Sequence, residues 1–145
     1  MIEIPKGYEV ESFNKQSGQL KFKEVKDPID RIKTVADVLA DNNITQEEFD
    51  FSCVDLPKDE KAYRLLKFLV KSLNQGWTPD WASSNENKYF PWFEMRGSSG
   101  FRFVGYVYWS SVSDVGSRFC FKTRELAEYA GKQFESVYKD FMVID

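Results

Sequence analysis

An α+β domain is the fold class the sequence predicts, on three observations. Aromatic residues alternate along two runs on either side of Gly97-Ser98-Ser99-Gly100, the spacing and composition of an antiparallel hairpin. Two amphipathic stretches flank it, Asp59–Asn74 and Arg124–Asp140, each with apolar residues stepping at the helical period. A length of 145 residues suits a single domain over 1–145 with one core. The expected architecture is an antiparallel sheet of three to five strands, with the two main helices packed on one face and short helices added near the N-terminus.

In chain order, Tyr8–Phe13 and Leu20–Val25 enclose Asn14-Lys15-Gln16-Ser17-Gly18, and their weak patterning predicts a short hairpin acting as an edge or cover. Asp27-Pro28 ends it. Thr34-x-x-Asp37 and Thr45-x-x-Glu48 are capping boxes, a hydroxyl and a carboxylate each satisfying the other's orphan amide, and they predict two short helices around Asp41-Asn42-Asn43. These are not a DNA-reading pair, because Gln46–Asp50 is acidic and a recognition helix lies among phosphates. In Asp59–Asn74 the apolar arc is Ala62, Tyr63, Leu65, Leu66, Leu69, Val70 and Leu73; Lys61, Arg64, Lys67 and Lys71 form the opposite face, and Gly76 is the stop.

All four tryptophans, Trp77, Trp81, Trp92 and Trp109, fall within 77–122. Tyr89–Arg96 and Phe101–Ser110 are the predicted hairpin, Arg118–Lys122 a third strand after the 110–117 loop. On simple alternation Arg102, Tyr106 and Tyr108 share one face of the middle strand, while Phe101, Phe103, Val107 and Trp109 share the other. With rings on both faces, the second face is covered by protein or by a ligand. Thr123 caps the last helix, which buries Leu126, Ala127, Ala130, Phe134, Val137 and Phe141. Met142–Ile144 reads as a short edge strand.

Aromatic residues make up 17% of the chain, an unusual load, and the formal charge is −3. From Lys88 to Arg124 the balance is +4, so the aromatic stretch is locally basic within an acidic chain, where arginine can stack and make forked hydrogen bonds. Histidine is absent, which removes Ser-His and Cys-His nucleophile pairs. No glycine-rich phosphate loop or dinucleotide fingerprint is present. Cys53 and Cys120 are widely separated, without metal-ligand spacing, and read as free thiols. No apolar run reaches membrane length and Met1-Ile2-Glu3-Ile4-Pro5-Lys6-Gly7 is not a signal region. The expectation is a cytoplasmic protein without a cofactor or membrane partner.

Three resemblances bear on function. Pro79-Asp80 followed by Glu94-Met95-Arg96 resembles the Pro-Asp … Glu-x-Lys signature of restriction-endonuclease-like nucleases, whose carboxylates hold a divalent metal that activates water. It implies, as the alternative function, a metal-dependent nuclease or other hydrolase using Asp80 and Glu94. Arg96 departs from the signature, because it cannot serve as a near-neutral amine. Gly100-Phe101-Arg102-Phe103-Val104-Gly105-Tyr106 resembles the aromatic octamer of RNA-recognition-motif domains, with Ser99 and Arg102 departing from it. Across most of the chain, Asn74-x-Gly76-Trp77-x-Pro79-Asp80-Trp81, Tyr89-x-Pro91-Trp92-Phe93 and Gly116-Ser117-Arg118-x-Cys120-Phe121-Lys122, continuing through Glu125-Leu126-Ala127 to Phe134, resemble a group of small uncharacterised bacterial proteins. Their genes are often found in prophages and other mobile elements. That resemblance implies a genomic setting and no activity.

The favoured expectation is a non-catalytic binding or accessory protein acting through an aromatic, arginine-bearing sheet surface. Trp92, Arg96, Arg102, Tyr106, Tyr108, Arg118 and Lys122 are the candidate binding residues. A protein partner is favoured over single-stranded nucleic acid, since tyrosine, tryptophan and arginine dominate protein hot spots and the net negative charge slows encounter with a polyanion.

Overall fold

The computed structural model describes residues 2–5 and 7–144; Met1 and Lys6 of the N-terminal heptapeptide, and Asp145, lie outside the described residues. Two separate two-stranded antiparallel sheets and seven helices are found among the described residues. The mixed α+β class therefore holds, but a single sheet of three to five strands does not form.

Strands β1 (Tyr8–Phe13) and β2 (Leu20–Glu24) pair as the predicted N-terminal hairpin, almost wholly exposed. Helices α1 (Pro28–Arg31), α2 (Val35–Asp41) and α3 (Gln46–Ser52) follow. Both capping boxes are made: Thr34 accepts from the Asp37 amide while Asp37 accepts from the Thr34 amide, and Thr45 and Glu48 do the same. Helix α4 (Lys58–Asn74) buries Ala62, Leu66, Leu69, Val70 and Leu73 and ends on left-handed Gln75 and Gly76. A satellite cluster of Leu39, Phe49 and Cys53 closes against Phe68.

The central ribbon joins β3 (Lys88–Arg96) to β4 (Phe101–Trp109) through one helical turn, α5 (Gly97–Gly100). Its strands match the predicted hairpin to within one residue. The expected third strand does not form. Ser117–Phe119 winds into a 3₁₀ turn, with the Phe119 amide donating to the Gly116 carbonyl at 2.8 Å, and Phe121 meets Tyr89 in a single bridge. Continuing the ladder beyond the Tyr89–Phe121 bridge would set Phe119 against Pro91, which has no N–H to donate. On the opposite edge of the segment the buried Asn74 side-chain amide donates to the Cys120 carbonyl at 2.9 Å and accepts from the Lys122 amide at 3.0 Å, satisfying groups that point away from β3.

Thr123 caps α6 (Arg124–Gln133), which lies directly on the ribbon. At Gly131 a Cβ would stand 2.8 Å from the Cβ of Pro91 and would also meet the Phe103 ring, so a side chain there cannot fit without movement. The predicted single helix Arg124–Asp140 is broken at Phe134, and α7 (Glu135–Met142) begins beyond it. The break turns Glu135 so that its carboxylate accepts from the Phe103 amide at 3.0 Å and sets Tyr138 against Phe93, ring centres 4.8 Å apart. Residues 142–144 form no strand; the helix runs to Met142. Helix α4 packs chiefly on α7 rather than on the ribbon, so the two main helices make successive layers instead of sharing one sheet face. The main core, with Leu66, Leu69, Phe93, Phe121, Ala127, Ala130 and Phe134, lies between them.

Candidate functional site

Strand parity breaks in the middle of β4. Trp92 pairs with Gly105, but its neighbour Phe93 pairs with Phe103, leaving Val104 as an extra residue in a β-bulge. One extra residue turns every following side chain to the other face. Tyr106 and Tyr108 accordingly lie opposite Pro91 and Tyr89, on the face that α6 covers; the Arg124 guanidinium stands 5.6 Å from the Tyr106 ring centre. Arg102 instead pairs with Glu94, on the face of Trp92 and Arg96. The expected platform is thus divided, and Arg102 does not share a face with Tyr106 and Tyr108. Phe101 and Phe103 likewise part from Val107 and Trp109.

The remaining candidates lie elsewhere. Arg118, in the 3₁₀ turn, borders a cleft with Trp77 and Trp81, whereas Lys122 borders a separate hollow beyond Trp77. Arg96 and Arg102 both bind Glu94, at 2.6 and 2.8 Å. Asp80 accepts from the Ala82 amide at 2.9 Å in a side-chain turn, and its own amide donates to Glu86 at 2.7 Å. The two carboxylates of the nuclease-like pattern are therefore each held by local partners. Among the described residues no group of three or more His, Cys, Asp or Glu is placed to hold a metal ion.

What the ribbon does assemble is an apolar cavity of about 310 Å³ between its Trp92 face, the 114–116 loop and the end of α7. Phe90, Trp92, Val107 and Trp109 line it from the ribbon, and Phe119, Tyr138, Phe141 and Met142 from the other side. Trp92 is 50% exposed and Trp109 40%; with a glycine across the ladder from Trp92, no cross-strand side chain covers its indole. Met95 and Val115, also exposed, extend the rim. Tyr138 is 3% exposed, yet its hydroxyl has no hydrogen-bond partner. Burial raises its pKa far above the usual phenol range, so the hydroxyl stays protonated and can donate. An unpaired buried hydroxyl costs about 1–3 kcal/mol, and native structures rarely leave one without a reason.

Sequence reasoning missed two residues here. Tyr138 was not singled out, since nothing in its neighbours distinguishes a core tyrosine from an unpaired one. Lys88 was read only as a charge, but it is fully buried. Its ammonium donates to the carbonyls of Ser83 (3.1 Å) and Ser110 (2.6 Å), lies 3.6 Å from Glu86, and stands 5.1 Å from the Trp81 ring centre. It ties the 77–87 loop to the end of β4, and so fixes one wall of the Trp77–Trp81 cleft. Cys120 is no nucleophile: burial pushes its thiol up to about 11.

A search against protein-family models, curated proteins and solved structures returns no match for this chain.

Proposed function

We propose that the chain is a non-catalytic accessory protein of a bacterial mobile element, and that it binds a protein partner at the Trp92–Trp109 cavity. The observation that carries this reading is a coincidence at one place: an apolar cavity with two indoles, Trp92 and Trp109, half in solvent at its mouth. Solvent-facing tryptophans at the mouth of an apolar pocket are the make-up of a protein hot spot. The matching segment carries one bulky apolar side chain to fill the cavity. Asp114 is the charged residue that lines the cavity, and Arg96 and Arg102, farther along the same ribbon face, are joined to Glu94, so the segment beside the anchor needs no acid. The mobile-element setting rests on the resemblance of the motifs at 74–81, 89–93 and 116–134 to that group of small proteins.

Single-stranded nucleic acid is the weaker reading for this surface. Stacking on a basic platform needs rings and unpaired cations together, but Tyr106 and Tyr108 lie on the other face and both arginines are engaged by Glu94. A displayed peptide library selected against the native protein, with Trp92→Ala protein as the counter-selection, tests the proposal. Selected peptides are expected to share an aromatic or aliphatic anchor, and to lose about 2 kcal/mol or more of affinity with Trp92→Ala. Peptides that bind both proteins equally, or no enrichment at all, overturn it.

A further inference from the structure

A second cavity, of about 570 Å³, is bounded by α4, the 76–81 loop and the 3₁₀ turn. Its cations are Lys67 and Lys71, from the polar face of α4, and Arg118; no carboxylate lines it. Neither Lys71 nor Arg118 has an ion-pair partner among the described residues. In a chain of net charge −3, unpaired cations gathered around one concavity mark a place for an anion. Two half-buried indoles, Trp77 and Trp81, face the same space.

The walls are held before any ligand arrives. Asn74 bonds the end of α4 to the 120–122 segment, fixing Arg118 relative to the helix. Left-handed Gln75 and Gly76 reverse the chain, and the Trp77 amide then donates to the Asn74 carbonyl at 3.0 Å. Trp81 is braced from behind by the buried Lys88 ammonium. A preorganised site loses less entropy on binding.

From these features we infer a binding site for a nucleoside phosphate. The base lies against the Trp77 and Trp81 rings, and the phosphate is taken by Arg118 and Lys71, with Lys67 at the margin. The guanidinium offers forked donors that match phosphate oxygens, while the lysines act as point charges. An inorganic anion would fill only part of the space and leave both indoles unused. The volume falls in the range of small-molecule and cofactor sites, roughly 300–1,000 Å³. Along α4, at the margin of the site and beyond it, Lys67 stands 4.9 Å from the Tyr63 ring centre and Lys61 is paired with Asp50 at 3.3 Å, so the basic face does not continue as a free track and the ligand is a single nucleotide rather than a polymer.

Calorimetric titration at low salt with AMP, GMP, CMP and UMP, with inorganic phosphate and with single-stranded oligo(dT) tests the inference. Expected is saturable binding of at least one nucleotide, about tenfold tighter than inorganic phosphate. Arg118→Gln and Lys71→Gln, both at exposed positions and checked for unchanged melting curves, each weaken it about tenfold. Arg96→Gln, on the ribbon, leaves it unchanged. The inference fails if none of the four nucleotides binds, if phosphate binds as tightly as they do, if Arg118→Gln has no effect, or if only the oligonucleotide binds.

Discussion

Replacing Tyr138 with phenylalanine removes one oxygen atom from a position 3% exposed where that oxygen has no partner. In the folded protein the hydroxyl has lost its water and gained nothing, a penalty of about 1–3 kcal/mol. The ring keeps its contact with Phe93, and the deleted atom forfeits only a few dispersion contacts of about 0.1–0.2 kcal/mol each. The variant is therefore expected to be more stable by about 1 kcal/mol, a rise of about 3 °C in Tm for a chain of this size. The same change should leave the affinity of a cavity-binding peptide unchanged, because the oxygen is closed to solvent and to a docked side chain alike. Differential scanning calorimetry with urea unfolding supplies the first measurement, and fluorescence titration of the peptide the second. A lower Tm for Tyr138→Phe would refute the reasoning, because it would mean that the hydroxyl is already bonded within the protein.

Four further outcomes are expected. Phe134→Ala, at a buried site between α6 and α7, costs roughly 3–5 kcal/mol in urea unfolding. Gly131→Ala, although alanine is the better helix former by about 1 kcal/mol, destabilises by about 1–3 kcal/mol, because the added methyl meets Pro91 and Phe103; an unchanged midpoint would mean that α6 can lift off the ribbon. Lys88→Ala, which empties a fully buried position and leaves the Ser83 and Ser110 carbonyls without their donor, costs about 3 kcal/mol and speeds hydrogen exchange in the 77–87 loop. Stability against pH falls at high pH. The Cys120 thiol, raised from 9.0 to about 11, and the Tyr138 hydroxyl, raised by burial, both favour the folded state only while protonated. Their contribution is complete below the unfolded pKa values, about 9–10, and is lost as pH rises toward the folded ones; Tyr138→Phe should reduce the slope.

Much of the local structure was legible because it is written in near-neighbour chemistry. Thr34 with Asp37, Thr45 with Glu48, the α4 apolar arc and the Gly97–Gly100 turn each depend on residues within a few positions of one another. The errors are long-range. The third strand fails because the Tyr89–Phe121 bridge sets Phe119 against Pro91, which has no N–H to donate, and no local pattern announces that pairing of distant residues. Helix α4 looked like a sheet-covering helix because an apolar arc does not say what covers it; α7, swung round by the break at Phe134, does. The bulge is the instructive case, since Gly105 inside an aromatic strand was a visible sign of interrupted pairing. Reading it so would have moved Tyr106 and Tyr108 off the face of Arg102. Of the seven candidate residues, Trp92, Arg96 and Arg102 stay together on one face. Arg118 joins the basic face of α4 instead, a union made by the Asn74 bonds to residues 120 and 122 and by the packing of the 3₁₀ turn on the helix.

The most direct test of the central claim uses the four tryptophans as reporters. Incorporating 5-fluorotryptophan gives one ¹⁹F resonance for each, assignable by single Trp→Phe variants, and titration with a selected peptide follows all four at once. Binding at the proposed cavity shifts Trp92 and Trp109 along a common saturation curve and leaves Trp77 and Trp81 where they were. Shifts confined to Trp77 and Trp81, or none at a peptide concentration that saturates binding, would contradict the claim.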